Sequence, residues 1–293
     1  MVAAKQFFTL ALALGAASAQ PGDFDQLIRA GRYHEVEPKL EAYTQKNPQS
    51  SEAWYQLGYV YFRLHKIWPS VKALSKSLAI DPSRAEAHKI LGHDFTILGR
   101  LDLAKDEFHR ALKIEPNSVE AQYGLGRVYY ENGDYKQAAD HLGQAIALDA
   151  SYVKAWHNMG LALEALNEPD GAREHFRKAI ELQAASATPS EWPYLDYAGF
   201  CNRQGEPGQA LALLQKAEAI NPKSDLLYHE MAKAQRALDK PQAAIDAIQK
   251  AIALNSRNAD YHYVLAVLWR KVGMPDKAAA ALAEFERLKK AEP

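Results

Sequence analysis

Small residues recur along this chain at a spacing of 34. Gly58, Gly92, Gly126 and Gly160 stand 34 positions apart, and after four extra residues, Ala187 to Ser190, the same ladder continues through Ala198, Ala232 and Ala266. A second ladder in the same register reads Val36, Ser70, Ala104, Ala138, Ala172, Ala210, Ala244 and Ala278. Such a period means a stack of similar small units, none of which can bury its apolar face alone. In the unit Val119 to Tyr152, Leu125, Gly126 and Tyr129 share one helical stripe, and Ala138, Leu142, Ala145 and Ile146 form a second at i, i+4, i+7 and i+8. Gly133 stands between the stripes, so each unit reads as two amphipathic helices joined at a tight turn, with Gly126 and Ala138 where the backbones approach.

Eight such units fit the chain, at about 17–50, 51–84, 85–118, 119–152, 153–186, 191–224, 225–258 and 259–292. Their fifteenth position reads Gly31, His65, Gly99, Gly133, Asn167, Gly205, Asp239 and Gly273, residues that tolerate positive φ at every place but His65. Pro169, Pro207, Pro241 and Pro275 follow two positions later, where the first turn of a second helix has no backbone donor to lose. Pro48, Pro82, Pro116 and Pro222 stop that second helix, and Ser50, Ser118, Ser186, Ser224 and Asn258 stand where the next helix needs a cap.

The pattern resembles the tetratricopeptide repeat. The second unit matches its signature at Trp54, Leu57, Gly58, Tyr61 and Pro82, the third at Leu91, Gly92, Ala104, Phe108, Ala111 and Pro116, and the fifth at Trp156, Gly160, Ala172, Phe176 and Ala179. The resemblance spans residues 20–293 and departs from the pattern at Pro21-Gly22, which leaves only a short opening helix, and at Ala187 to Ser190. It implies an all-α fold, a right-handed α-α superhelical solenoid whose first helices line a concave face, and a function in binding proteins or peptides.

The N-terminal stretch reads as an address. Residues 1–19 combine Lys5, an apolar run from Phe7 to about Ala17, and the small-residue pattern Ala17-Ser18-Ala19. That is the layout of a cleavable export signal, and the alternative of a first helix of the fold fits poorly with a run that is apolar all round. The run is too short to span a bilayer, which needs about 20 residues, so no membrane span is expected in the mature chain. An exported protein, periplasmic or extracellular, is the expectation. The formal net charge of −1 and the absence of a Lys/Arg-rich run argue against nucleic acid as a partner. The single cysteine, Cys201, has no intramolecular partner and fits a small apolar packing role.

Chemistry-bearing motifs are absent. The ten histidines include no His-Glu-x-x-His, and His141 and His175, one repeat apart, read as solvated faces of helices. His88 and His262 occupy the signature's Trp position, and Gly124-Leu-Gly126 lies inside a helix with no third glycine. No nucleophile elbow or phosphate loop appears, and every long segment already belongs to a repeat. No catalytic residue, metal or cofactor is therefore expected.

The informative residues lie on the first helix of each unit. With positions 4, 8 and 11 facing the core, positions 5, 9 and 12 form a stripe turned by about 100°, and the resemblance assigns that flank to the concave groove. It reads Tyr55, Tyr59 and Phe62, then Lys89, His93 and Thr96, then Tyr123, Arg127 and Tyr130, then His157, Leu161 and Glu164, with Asn158 adjacent. Large aromatics off the core stripe suggest a binding surface. The candidate groove is thus Tyr55, Tyr59, Phe62, Lys89, His93, Tyr123, Arg127, Tyr130, His157 and Asn158, with the aromatics as anchors and Lys89 and Arg127 fixing polar groups of an extended peptide. The family's carboxylate clamp is met by Lys89, Lys154 and Asn158 but not at His93 and Gly124, and is not carried over. Farther along, the stripe turns basic at Arg203, Lys233, Arg236, Arg270 and Lys271. The functional expectation is a non-catalytic scaffold or adaptor in an exported or envelope complex. The alternatives are a self-associating structural scaffold and an accessory to an enzyme acting on an envelope polymer.

Overall fold

A computed structural model describes residues 21–291, so the expected export signal and its cleavage point lie outside the described residues. Among the described residues the secondary structure is helical throughout, and the chain divides into two compact units, one ending at Glu115 and one beginning at Pro116. The first holds α1 (Pro21–Arg29), α2 (Tyr33–Lys46), α3 (Ser51–Arg63), α4 (Ile67–Ile80), α5 (Ala85–Ile97) and α6 (Leu101–Ile114). The second holds α7 (Val119–Glu131), α8 (Tyr135–Leu148), α9 (Val153–Ala165), α10 (Pro169–Ala184), α11 (Trp192–Arg203) and α12 (Pro207–Ile220), followed by α13 (Asp225–Ala237), α14 (Pro241–Leu254), α15 (Ala259–Lys271) and α16 (Pro275–Ala291).

Helices pack in consecutive pairs, and within each unit the odd-numbered helices also touch one another, α1 with α3 and α3 with α5, then α7 with α9, α9 with α11 and α11 with α13. From the second hairpin onward the pairs close tightly because position eight is Gly or Ala. A Cβ on Gly126 would fall 2.6 Å from Leu142 Cγ, and one on Gly92 would fall 2.7 Å from the Phe108 ring. The second helix thus pushes one large side chain, fully buried, into the gap left by the first.

Every hairpin turn uses the same device. All eight residues at the fifteenth position have positive φ, His65 (56°), Asn167 (61°) and Asp239 (54°) included. His65 is therefore no exception. The backbone closure requires that conformation, since His65 N donates to Phe62 O at 3.0 Å and Lys66 N to Tyr61 O at 2.9 Å, the same paired bonds that Gly133 and Asp134 make to Tyr130 and Tyr129.

Ser50, Ser118, Ser224 and Asn258 each accept a backbone N–H at the start of a helix. Ser186 does not cap: α11 starts at Trp192, beyond the four extra residues, and the Ser186 hydroxyl instead accepts from Thr188 N at 3.2 Å. No helix among the described residues is long and apolar enough to cross a membrane.

Candidate functional site

The ten candidate residues fall five in each compact unit. In the first, α3 carries Tyr55, Tyr59 and Phe62, and α5 carries Lys89 and His93. Arginines seat themselves on the tyrosines: the Arg84 guanidinium lies 4.6 Å above the Tyr55 ring, and that of Arg63 lies 4.7 Å above Tyr33 while its Nη1 donates to Tyr59 Oη at 2.7 Å. Burial pushes the Tyr55 phenol up to about 12. Tyr33, Tyr55 and Tyr59 border a cavity of about 420 Å³ together with Arg29, Arg63 and Glu52.

The remaining three residues of this unit do not line that cavity. Phe62 stacks on the His93 ring at 6.4 Å, and His93 meets the edge of Phe108 at 5.1 Å. Lys89 is buried, its ammonium 2.9 Å from Glu86 and 3.2 Å from Glu115. Its charge is thus already engaged by carboxylates within the fold, which a stripe drawn on α5 alone does not show.

In the second unit a larger cavity, about 940 Å³, gathers Tyr123 and Arg127 from α7, and His157 and Asn158 from α9. Tyr123 is 8 % exposed and meets Tyr152 edge-on at 5.4 Å, so it belongs to the core as well as to the wall. Burial raises both phenols. Asn158 Nδ2 donates to the carbonyl of Lys154 at 2.9 Å and faces Tyr123 Oη at 3.5 Å. His157 Nε2 stands 2.5 Å from Asp196 Oδ2 on α11, and Arg127 donates to Glu131 at 2.8 Å. Tyr130 lies outside the cavity lining, tilted against Tyr135 at 5.4 Å.

Sequence reasoning missed the far wall of this cavity. Ser186, Thr188, Ser190 and the half-exposed Trp192 line it, and these residues belong to the four-residue break or border on it. The signal was a tryptophan two residues past the four-residue interruption of the repeat, Ala187 to Ser190. The exposed Lys154 ammonium also borders the space and makes no ion pair among the described residues. The cavity therefore offers aromatic edges, hydroxyls and amides, the Lys154 cation, and the carboxylates of Asp149 and Asp196. Farther along, the basic stripe is largely neutralised: Arg203 binds Glu164 through Nε at 2.6 Å and Nη2 at 2.8 Å, Lys233 pairs with Glu230 and Lys271 with Asp239, each at 2.6 Å. Among the described residues no three His, Cys, Asp or Glu side chains converge as a metal site requires.

Comparison with known families decides the class. Models described as TPR repeat or tetratricopeptide repeat match residues 51–84, 92–133, 126–167, 153–184, 191–234 and 229–293. The chain is a tetratricopeptide-repeat protein. No curated protein sequence matches it. Among solved structures, this tetratricopeptide array is similar to a tetratricopeptide repeat protein from Parabacteroides merdae ATCC 43184, with a TM-score of 0.62 at 17% identity over 82% of this chain and 93% of that one. It is similar to MamA, with a TM-score of 0.52 at 24% identity over 57% of this chain and 96% of the other. A chain of the APC/C hetero-tetramer Cut9-Hcn1 gives a TM-score of 0.59 at 20% identity over 93% of this chain, which spans 46% of that one. These likenesses carry the fold. A tetratricopeptide fold is typical of non-catalytic protein–protein interaction.

Proposed function

We propose that this tetratricopeptide protein is a non-catalytic scaffold that holds an extended peptide of a partner protein, as part of an exported or envelope complex. The observation that carries the reading is the cavity of about 940 Å³ in the second unit, where the first helices of three consecutive hairpins contribute side chains to one space. A backbone laid across α7, α9 and α11 meets amide and hydroxyl partners at Asn158, Ser151 and Thr188, and its side chains meet Tyr152 and Trp192. Interfaces of this kind draw most of their affinity from a few aromatic anchors, and the half-exposed Trp192 is the anchor whose removal disturbs the core least. In the first unit, Tyr33, Tyr55 and Tyr59 supply a second aromatic surface of the same character.

The test uses full-length protein and a partner captured from the exported fraction. On adding that partner, hydrogen exchange is expected to slow in α7, α9 and the 186–196 segment, and Trp192→Ala is expected to weaken binding by on the order of tenfold while leaving the melting temperature unchanged. Unchanged exchange in these segments, or full affinity of Trp192→Ala, refutes the placement. Intact-mass measurement of the exported form tests the address, with Gln20 expected as its first residue.

A further inference from the structure

Position four of the hairpin holds Trp54, His88, Gln122, Trp156, Tyr194, Tyr228 and His262 in successive repeats. Its polar edge reaches the carbonyl six residues earlier. Trp54 Nε1 donates to Pro48 O and Trp156 Nε1 to Ala150 O, both at 2.9 Å, and Tyr228 Oη donates to Pro222 O at 3.1 Å. His88 Nε2 stands 3.2 Å from Pro82 O in the same way. Position 26, on the second helix of the same hairpin, lays a cation over that ring. Lys76 Nζ is 4.0 Å from the Trp54 centroid, Lys250 is 4.9 Å from that of Tyr228, and Lys216 is 6.0 Å from that of Tyr194. The fifth hairpin departs from this, since Trp156 packs against His175 at 5.2 Å.

The third hairpin has the cation without the large ring. Arg110 occupies position 26, but the side chain at position four is the small imidazole of His88, and the guanidinium turns to Glu107 at 2.5 Å. The other oxygen of Glu107 takes His88 Nδ1 at 2.6 Å, holding the imidazole to one side. What remains is a cavity of about 520 Å³, open to solvent, with Leu78, Pro82, Leu91 and Ile114 as walls and Arg110 and Lys113 at its border. That volume is within the range of small-ligand sites, about 300–1,000 Å³.

We propose that this cavity receives an aromatic side chain, tryptophan above all, presented by a partner protein. The incoming ring takes the place beside Arg110 that Trp54 takes beside Lys76. A guanidinium bound edge-on to a carboxylate keeps its planar face free for a ring, and the apolar walls cover the remainder. The hydroxyl of Ser75 in the wall offers an acceptor to an indole N–H. The site is separate from the candidate groove and does not depend on it.

The test titrates the full chain with N-acetyl-L-tryptophanamide, with N-acetyl-L-alaninamide as the control, and follows the methyl resonances of Leu78, Leu91 and Ile114. Saturable shifts at these three methyl sets with the tryptophan amide alone are expected. Arg110→Gln should weaken binding by about two- to fivefold, the value of an exposed cation–ring contact. His88→Trp, which fills the cavity from within, should abolish it, and Ile114→Glu, at an exposed wall position, should weaken it strongly without a core substitution. Trp192→Ala should leave it unchanged. No saturable shift, equal shifts with the alanine amide, or an affinity indifferent to both Arg110→Gln and Ile114→Glu would overturn the proposal.

Discussion

Gly126 shows how little room a single atom has in this array. Its absent Cβ would sit 2.6 Å from Leu142, so Gly126→Leu forces either the rotamer of Leu142 or the helix pair to move, at a cost of about 1–3 kcal/mol or more. Hydrogen exchange should report lost protection across residues 119–152 first and most. A second residue is unsettled for electrostatic reasons. Asp94 on α5 is fully buried, and neither carboxylate oxygen has a hydrogen-bond partner of normal geometry. Burial raises its carboxyl to about 7, above the ordinary 3.8. Because the folded value exceeds the unfolded one, the acid is neutral in both states below about pH 4, and stability is lost as pH climbs from there to about 7, where the loss is complete. Asp94→Asn keeps the shape without the charge. It is expected to stabilise the first unit by about 1–3 kcal/mol at pH 8 and by almost nothing at pH 4, which denaturant unfolding at the two pH values will measure. An equal gain at both would assign the effect to packing.

The helices obey local rules wherever the repeat is unbroken. Ser118 caps α7 by accepting from Ala121 N, and Ser118→Ala should cost about 1 kcal/mol, visible as faster exchange of the first amides of α7. The all-helical class and the pairing of helices were legible because both follow from periodicity: a small residue every 34 positions and a turn residue seven places after each. His65 shows the turn prevailing over residue preference, since two backbone hydrogen bonds hold an unsuitable side chain at positive φ. Ser186 shows the reverse, a good capping residue left without a helix because four inserted residues moved the helix start to Trp192. The candidate site was legible only to the same extent. A stripe repeated on successive first helices places Tyr123, Arg127, His157 and Asn158 together, but it cannot show that Lys89 finds Glu115 on a connection 26 residues away, nor that an aperiodic insertion supplies the far wall of a cavity.

In the second unit as a whole, stability runs through neighbours. Removing residues 259–293 exposes the face of α13 and α14, so protection should fall most in residues 225–258, less in 191–224, and least in 119–152. Exchange that falls evenly across all of them would speak for a single cooperative globule instead. The placement of Trp192 has one more consequence, an optical one. Its indole is 47% exposed on the lining of the cavity of about 940 Å³, whereas the similarly exposed Trp68 lies in the other unit, on α4. The remaining tryptophans, Trp54, Trp156 and Trp269, are partly buried, two of them beneath lysines. The red edge of the protein's intrinsic emission therefore comes mainly from the two most exposed tryptophans, only one of which a ligand in that cavity would shield. Occupancy should appear as a blue shift and as loss of roughly half of the iodide-quenchable signal, with Trp68→Phe leaving a chain whose quenchable light reports on that cavity alone.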